Sequence, residues 1–277
     1  EIKELNPLGY KPIGKLLKSL AIPAIIANLV NALYNVVDQI FIGQRVGYLG
    51  NAATNIAFPI TTICLAIGLT LGIGGASNFN LELGKGYPEK SKHTAGTAAS
   101  TLIIIGIILC ISVRIFLEPL MISFGATDKI LEYSMEYTGI TSYGIPFLLF
   151  SIGVNPLVRA DGNAKYSMIA IVIGAILNTI LDPLFMFVYN WGIAGAAWAT
   201  VISQIVSAIL LLIYFPRFKS VKFSLNDFIP QLHYLKRIIS LGFASFIYQF
   251  SNMIVLVTTN NLLKIYGKNS IYGSDIP

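Results

Sequence analysis

The chain has 277 residues, 55% of them hydrophobic and 12% charged, with a formal net charge of +6 and a mean hydropathy of +0.71. Soluble domains carry about a quarter charged residues, so a single water-soluble core is excluded and the composition is that of a polytopic integral membrane protein. Uncharged runs such as Ala52 to Leu81 and Thr94 to Val113 are long enough, at about 1.5 Å per helical residue, to cross roughly 30 Å of hydrocarbon.

Seven transmembrane helices are expected, over 16–42, 52–82, 93–117, 129–156, 165–189, 194–215 and 235–266. Several exceed the ~20 residues that a span needs, which implies tilt or projection beyond the bilayer. The segment Glu1 to Lys18 is polar and the apolar stretch after it is as long as a span, so no cleavable signal peptide is expected.

In span one, Asn28, Asn31, Asn35 and Asp38 recur at intervals of three, four and three. That spacing stacks them on one helix face. A helix interface held by amide hydrogen bonds would account for the asparagines, but a carboxylate is a costly glue. Span two carries Gly68, Gly72 and Ala76, and span six Gly195, Ala199, Ser203 and Ser207, small residues every four positions that predict close helix contacts. Pro23, Pro146 and Pro156 predict kinks. Glu132 and Glu136, at the start of span four, read as a solvated helix end. Arg159 and Asp161, in the turn Arg159-Ala160-Asp161-Gly162-Asn163, predict a turn-stabilising or inter-loop ion pair. In span five, Asn178 and Asp182 share a face, and Pro183 frees a carbonyl one turn earlier. Cys64 and Cys110 lie in apolar spans and read as core thiols. His93 and His233 are placed in basic loops, and neither is expected to bind a metal.

Lys and Arg fall unevenly on alternate connections. One side collects fourteen, from Lys3 and Lys11 through Lys85, Arg159 and Lys219 to Arg237, and the other five, Arg45, Arg114, Lys129, Lys264 and Lys268. The basic excess therefore reflects topology, with a cytoplasmic N-terminus, and nucleic acid is not an expected partner. In this orientation Asp38 lies roughly 33 Å and Asp182 roughly 26 Å from the cytoplasmic ends of their helices, and Thr200 roughly 9 Å from the outer end of span six. All three belong to the outer half, where two acids and a hydroxyl could meet in an oxygen-rich pocket suited to a hard cation such as Na⁺ and couple their protonation.

Sliding the chain on itself by 221 positions places Ser19-Leu20-Ala21 over Ser240-Leu241-Gly242, Asn28 over Gln249 and Asn31 over Asn252. Internal repeats are the common plan of secondary transporters. The expected organisation is a six-helix lobe over 1–214, a cytoplasmic linker over 215–234, and the first helix of a second lobe over 235–277. An isolated seventh helix ending at Ser274-Asp275-Ile276-Pro277 has no obvious partner, so a truncated chain is expected.

Val37-Asp38-Gln39-Ile40-Phe41-Ile42-Gly43, Gly75-Ala76-Ser77 with Leu83-Gly84-Lys85-Gly86, Gly144-Ile145-Pro146-Phe147 with Val158-Arg159-Ala160-Asp161-Gly162-Asn163, and Leu181-Asp182-Pro183-Leu184-Phe185 followed by Trp191-Gly192-Ile193-Ala194-Gly195 resemble the multidrug and toxic compound extrusion family, in its bacterial and archaeal branch. The resemblance implies an all-α integral membrane fold of twelve helices in two lobes, the chain covering the first lobe and the seventh helix. It implies a monomeric antiporter of the cytoplasmic membrane, not an enzyme, that exports amphipathic, often cationic drugs against Na⁺ or H⁺ without a cofactor. It also implies a cation site at Asp38, Asn178, Asp182 and Thr200, the resemblance deciding which hydroxyl to name. Asn31, Asn35 and Asn155 would line the substrate cavity. A lipid or lipid-linked-sugar flippase would need a strongly basic cavity, and spans one to six show almost no buried Lys or Arg. A seven-helix receptor or photoreceptor shares only the count of spans and has the opposite orientation.

Overall fold

The computed structural model describes residues 12–269, with side chains as far as Leu263. Lys3, Lys11, the side chains of Lys264 and Lys268, and Ser274-Asp275-Ile276-Pro277 lie outside the described residues. Among the described residues seven helices are long and apolar enough to cross a membrane: Ile13–Arg45, Tyr48–Gly84, Pro88–Ile115, Asp128–Ala160, Ala164–Val188, Ile193–Arg217 and Leu232–Leu263. They are spans one to seven. The observed bounds extend most of the expected ones by a few residues, because the helices continue past the apolar windows into polar first and last turns.

Three local features depart from seven plain rods. A short helix, Leu117–Ser123, follows span three where a bare connection was expected. Span four is two helices, Asp128–Thr141 and Ile145–Ala160, joined by a 3₁₀ turn over Ser142–Gly144. Pro146 sits in the first turn of the second helix, where its missing N–H breaks no bond; the break precedes it. Pro23, Pro59 and Pro156 lie inside continuous helices. Span five ends in a π turn over Leu184–Val188, directly after Asp182 and Pro183.

Span two is the central element. It packs on span four through Gly68 and Gly72: a methyl at Gly72 would stand 2.5 Å from the carbonyl oxygen of Gly153, and Gly68 faces Ile152. The small-residue spacing thus produces backbone-to-backbone approach. Span seven, expected to lack a partner, packs along span two instead. Gly74 lies against the carbonyl of Ile238 and Gly242 against that of Thr70. At the other end of span seven, Asn261 donates to the Ser123 carbonyl at 3.1 Å. Span one lies chiefly on span five, and three of its side chains are buried, Ala27, Asp38 and Ile42.

The connection from span six to span seven is docked. Phe215, Phe218, Phe223 and Phe228 form an edge-and-stack cluster that reaches Phe79 of span two. Two carboxylates pin it. Asp161, fully buried, accepts from the Tyr214 hydroxyl at 2.8 Å, from the Lys219 N–H at 2.9 Å and from the Ser220 N–H at 2.9 Å. The ion pair expected between Arg159 and Asp161 is not formed; backbone N–H groups satisfy Asp161 because the connection folds over it. Asp227 closes a capping box with Ser224 and lies 3.2 Å from His93 Nδ1 and 3.8 Å from Lys92 Nζ. His93 and His233 thus lie on helices, within Pro88–Ile115 and Leu232–Asn269, and not in loops.

Cys64 is buried and Cys110 half-buried, both free thiols, and Glu132 and Glu136 are exposed. Gly72→Val should separate spans two and four and lower stability by about 1–3 kcal/mol, whereas Gly84→Ala, whose added methyl meets nothing within 4 Å, should leave it unchanged. Thermal unfolding in detergent reads both; equal melting temperatures for the two variants would remove the close-contact account.

Candidate functional site

Span one carries Asp38 two turns short of its end, and span five carries Asp182 at its last α-helical turn. Because the two spans pack together, the acids converge. Their carboxyl groups are close neighbours, Asp182 fully buried and Asp38 7% exposed. Asn178, one turn before Asp182, donates to Asp182 Oδ1 at 3.3 Å and reaches Thr200 Oγ1 of span six at 3.5 Å. The four residues expected at one depth therefore form one cluster.

Neutral groups hold the acids in place. Gln39 Nε2 reaches Asp38 Oδ2 at 3.5 Å, and the Thr54 hydroxyl of span two donates to Gln39 Oε1 at 3.0 Å. Beyond them Arg45 ties span one to the end of span five, donating from Nε to the Met186 carbonyl at 3.0 Å and from Nη2 to Asn190 Oδ1 at 2.7 Å. Met186 lies in the π turn. Such turns disturb the regular ladder of carbonyls, and here one of them accepts the guanidinium. Asn190 adopts a left-handed φ of 59°, which asparagine tolerates better than most residues.

Three buried oxygens of the cluster, Asp38 Oδ1, Asn178 Oδ1 and Asp182 Oδ2, have no hydrogen-bond partner. Two ionised carboxylates in contact repel each other in a low-dielectric setting, and a proton or a bound cation relieves this. Carboxylate, amide and hydroxyl oxygens are the donor set of a hard cation. Among the described residues no group of three or more His, Cys, Asp and Glu converges on one point; the cluster offers two carboxylates and neutral oxygens.

Two cavities meet at the cluster. One, of about 390 Å³, is lined by Asn35, Asp38, Gln39, Thr54 and Tyr137. The other, of about 250 Å³, runs toward the Asp161 end and is lined by Asn28, Asn31, Asn155, Asn178 and Arg159 among others. Tyr34, Leu148, Thr200 and Gln204 border both. Asn31 and Asn35 are exposed on this wall, and Asn35 Nδ2 donates to the Asn31 carbonyl at 2.7 Å. Asn155 is buried with its amide engaged, donating to the Ser167 carbonyl at 3.2 Å and accepting the Ser167 hydroxyl at 2.7 Å; it joins spans four and five more than it offers itself to a ligand.

Sequence reasoning passed over Tyr34, Tyr137 and Gln39. Tyr34 falls on the same helical face as Asn31, Asn35 and Asp38, a signal that was available. Tyr137 comes from the first half of span four and lines the same cavity as Thr200; nothing distinguishes it in sequence from the other tyrosines.

A family model described as MatE matches residues 23–184, more than half of the chain and both acids of the cluster. The chain belongs to the MatE family. It is 25% identical over 264 residues to the multidrug export protein MepA of Staphylococcus haemolyticus (strain JCSC1435), covering 94% of this chain and 58% of that protein. Among solved structures it is similar to the MATE multidrug transporter DinF-BH, solved in complex with a dye, with a TM-score of 0.87 and 36% identity over 92% of this chain and 58% of that one. It is also similar to a MOP superfamily transporter from Pyrococcus furiosus Vc1 (DSM3638), described by the reverse polarity of its binding pocket, with a TM-score of 0.81 and 28% identity over 90% of this chain and 55% of that one. This MatE chain spans between 56% and 60% of the length of the curated relatives it matches.

Replacing Asp182 with Asn would keep the Asn178 contact and put an N–H₂ donor opposite Asp38. In Na⁺-free choline buffer at pH 8 the variant should be more stable than the wild type by about 1–2 kcal/mol. Thermal unfolding followed by tryptophan fluorescence tests this, and a less stable variant would mean that the pair does not repel.

Proposed function

We propose that this chain is the cation-coupled half of a multidrug exporter, in which binding of Na⁺ or H⁺ at Asp38, Asn178, Asp182 and Thr200 drives outward release of amphipathic drugs. The observation that carries the reading is the buried acid pair with its unpartnered oxygens, set at the junction of two cavities. A charge-neutralising ligand at this point favours one packing of span one against span five. Its differential affinity for two packings is what moves the equilibrium between them.

In this reading the Asp161 end of the bundle is cytoplasmic, supported by the Lys and Arg excess there. Residues 1–214 form the first lobe, 215–234 the linker, and 235–277 the start of the second lobe. Asn31 and Asn35 face the space where drug passes. The relatives named as multidrug transporters support drug export as the task of the complete protein, and the seven spans support its place in the cytoplasmic membrane.

Carboxylates hold Na⁺ only when ionised, so Na⁺ affinity should fall as pH falls. Isothermal calorimetry of the purified chain from pH 8 to pH 5 should show saturable Na⁺ binding that weakens toward pH 5 and is absent in Asp182→Asn. Binding that is independent of pH or retained in that variant would place the ion elsewhere. In the full-length transporter Asp38→Asn should abolish drug resistance at an unchanged membrane level; resistance within about twofold of wild type would refute coupling through this pair.

A further inference from the structure

Among the described lining residues of the 250 Å³ cavity one is charged, Arg159, in the last turn of span four. It is half-buried, and among the described residues no hydrogen bond or ion pair engages its guanidinium. Arg45 and Arg114 are occupied, Arg45 by Met186 and Asn190, and Arg114 by the Gly139 carbonyl and the face of Tyr143. The acids at this end are also occupied. Asp161 is filled by Tyr214 and two backbone N–H groups, Glu82 pairs with Lys85 and Arg237, and Asp227 with Lys92 and His93. Removing a guanidinium from water without a counter-charge is costly, and a planar fork of five donors is best matched by a carboxylate.

The far end of the same cavity has the opposite character. Asn178, Ser203 and Gln204 line it there, neutral amide and hydroxyl side chains with no positive charge. The wall between is mixed, with Leu65, Leu69, Ile152 and Ile171 beside Asn28, Asn31 and Ser151. From Ala170 to Asn178, span five lines the cavity over roughly 12 Å. The slot therefore carries its one charge, a cation, at one end, and neutral polar and aliphatic side chains along the rest of its length.

We propose that Arg159 is a specificity-determining residue that binds the carboxylate of amphipathic substrates, so that the cavity prefers zwitterions carrying an acid over cations of the same shape that lack it. The proposal rests on the drug-cavity reading above and adds a polarity to it. One arginine is too little for a diphosphate headgroup but sufficient for one carboxylate.

Rhodamine 6G, an ethyl ester, and the free acid obtained by hydrolysing that ester form a matched probe pair. Fluorescence anisotropy with the purified protein at pH 7.5 should show the acid binding about five- to tenfold tighter than the ester. Arg159→Gln should bring the acid-to-ester affinity ratio to about one, and Arg159→Lys should restore part of it. Because both affinities come from the same sample, a ratio separates loss of recognition from loss of fold. Ester binding with no preference for the acid in wild type, or a preference that survives Arg159→Gln, overturns the role of Arg159 and leaves the drug cavity standing. Failure of the wild type to bind either dye overturns both.

Discussion

Two carboxylates brought together inside a membrane protein, Asp38 and Asp182, set the conditions for the rest of this molecule. Each is expensive to bury alone, and two ionised carboxylates side by side repel, a cost that a proton or a cation relieves. The neighbouring elements read as arrangements for holding that unstable pair. Gln39 and Thr54 orient one acid and Asn178 the other. Arg45 fastens the two helices two turns beyond the acids, far enough from the carboxyls to leave their oxygens open.

Around this pair the bundle separates rigid from loosely held parts by residue size. Span two buries glycines and alanines along most of its length, so spans four and seven approach its backbone closely and have little room to slide. The docked connection behind span six adds an aromatic plug and two pinned carboxylates at the opposite end from the acid pair. Close packing and buried polar clips thus hold the side of the bundle away from span one, while the cavities open beside it.

Much of this was legible in the sequence, for physical reasons specific to membranes. A span must be apolar for its whole length, so seven spans stand out, and a buried acid is rare enough that Asp38 and Asp182 identify themselves. Depth along helices of known rise then put Asp38, Asp182 and a span-six hydroxyl at a similar level, and the family resemblance named that hydroxyl as Thr200. The break in span four was not legible, because Pro146 marks the start of the following helix and the turn lies before it. Asp161 was misjudged because its partners, Tyr214, Lys219 and Ser220, are more than fifty residues away; local spacing suggested Arg159, which turns into the cavity instead. Span seven seemed unpartnered because Gly74 and Gly242, its contact with span two, look ordinary in either segment alone.

Span one is 33 residues long and buries three side chains, and its fastening is concentrated where Asp38, Ile42 and Arg45 lie. Pro23 removes one backbone hydrogen bond from the other half. Opening free energy should therefore form a gradient along this one helix. Amides near Ile13 to Asn28 belong to the class that exchanges with solvent through small local excursions, and those beyond Asp38 to the class that exchanges only when spans one and five part. A ligand between the acids would slow the second class and leave the first almost untouched, so protection along this one helix would change on one side of Asp38 only.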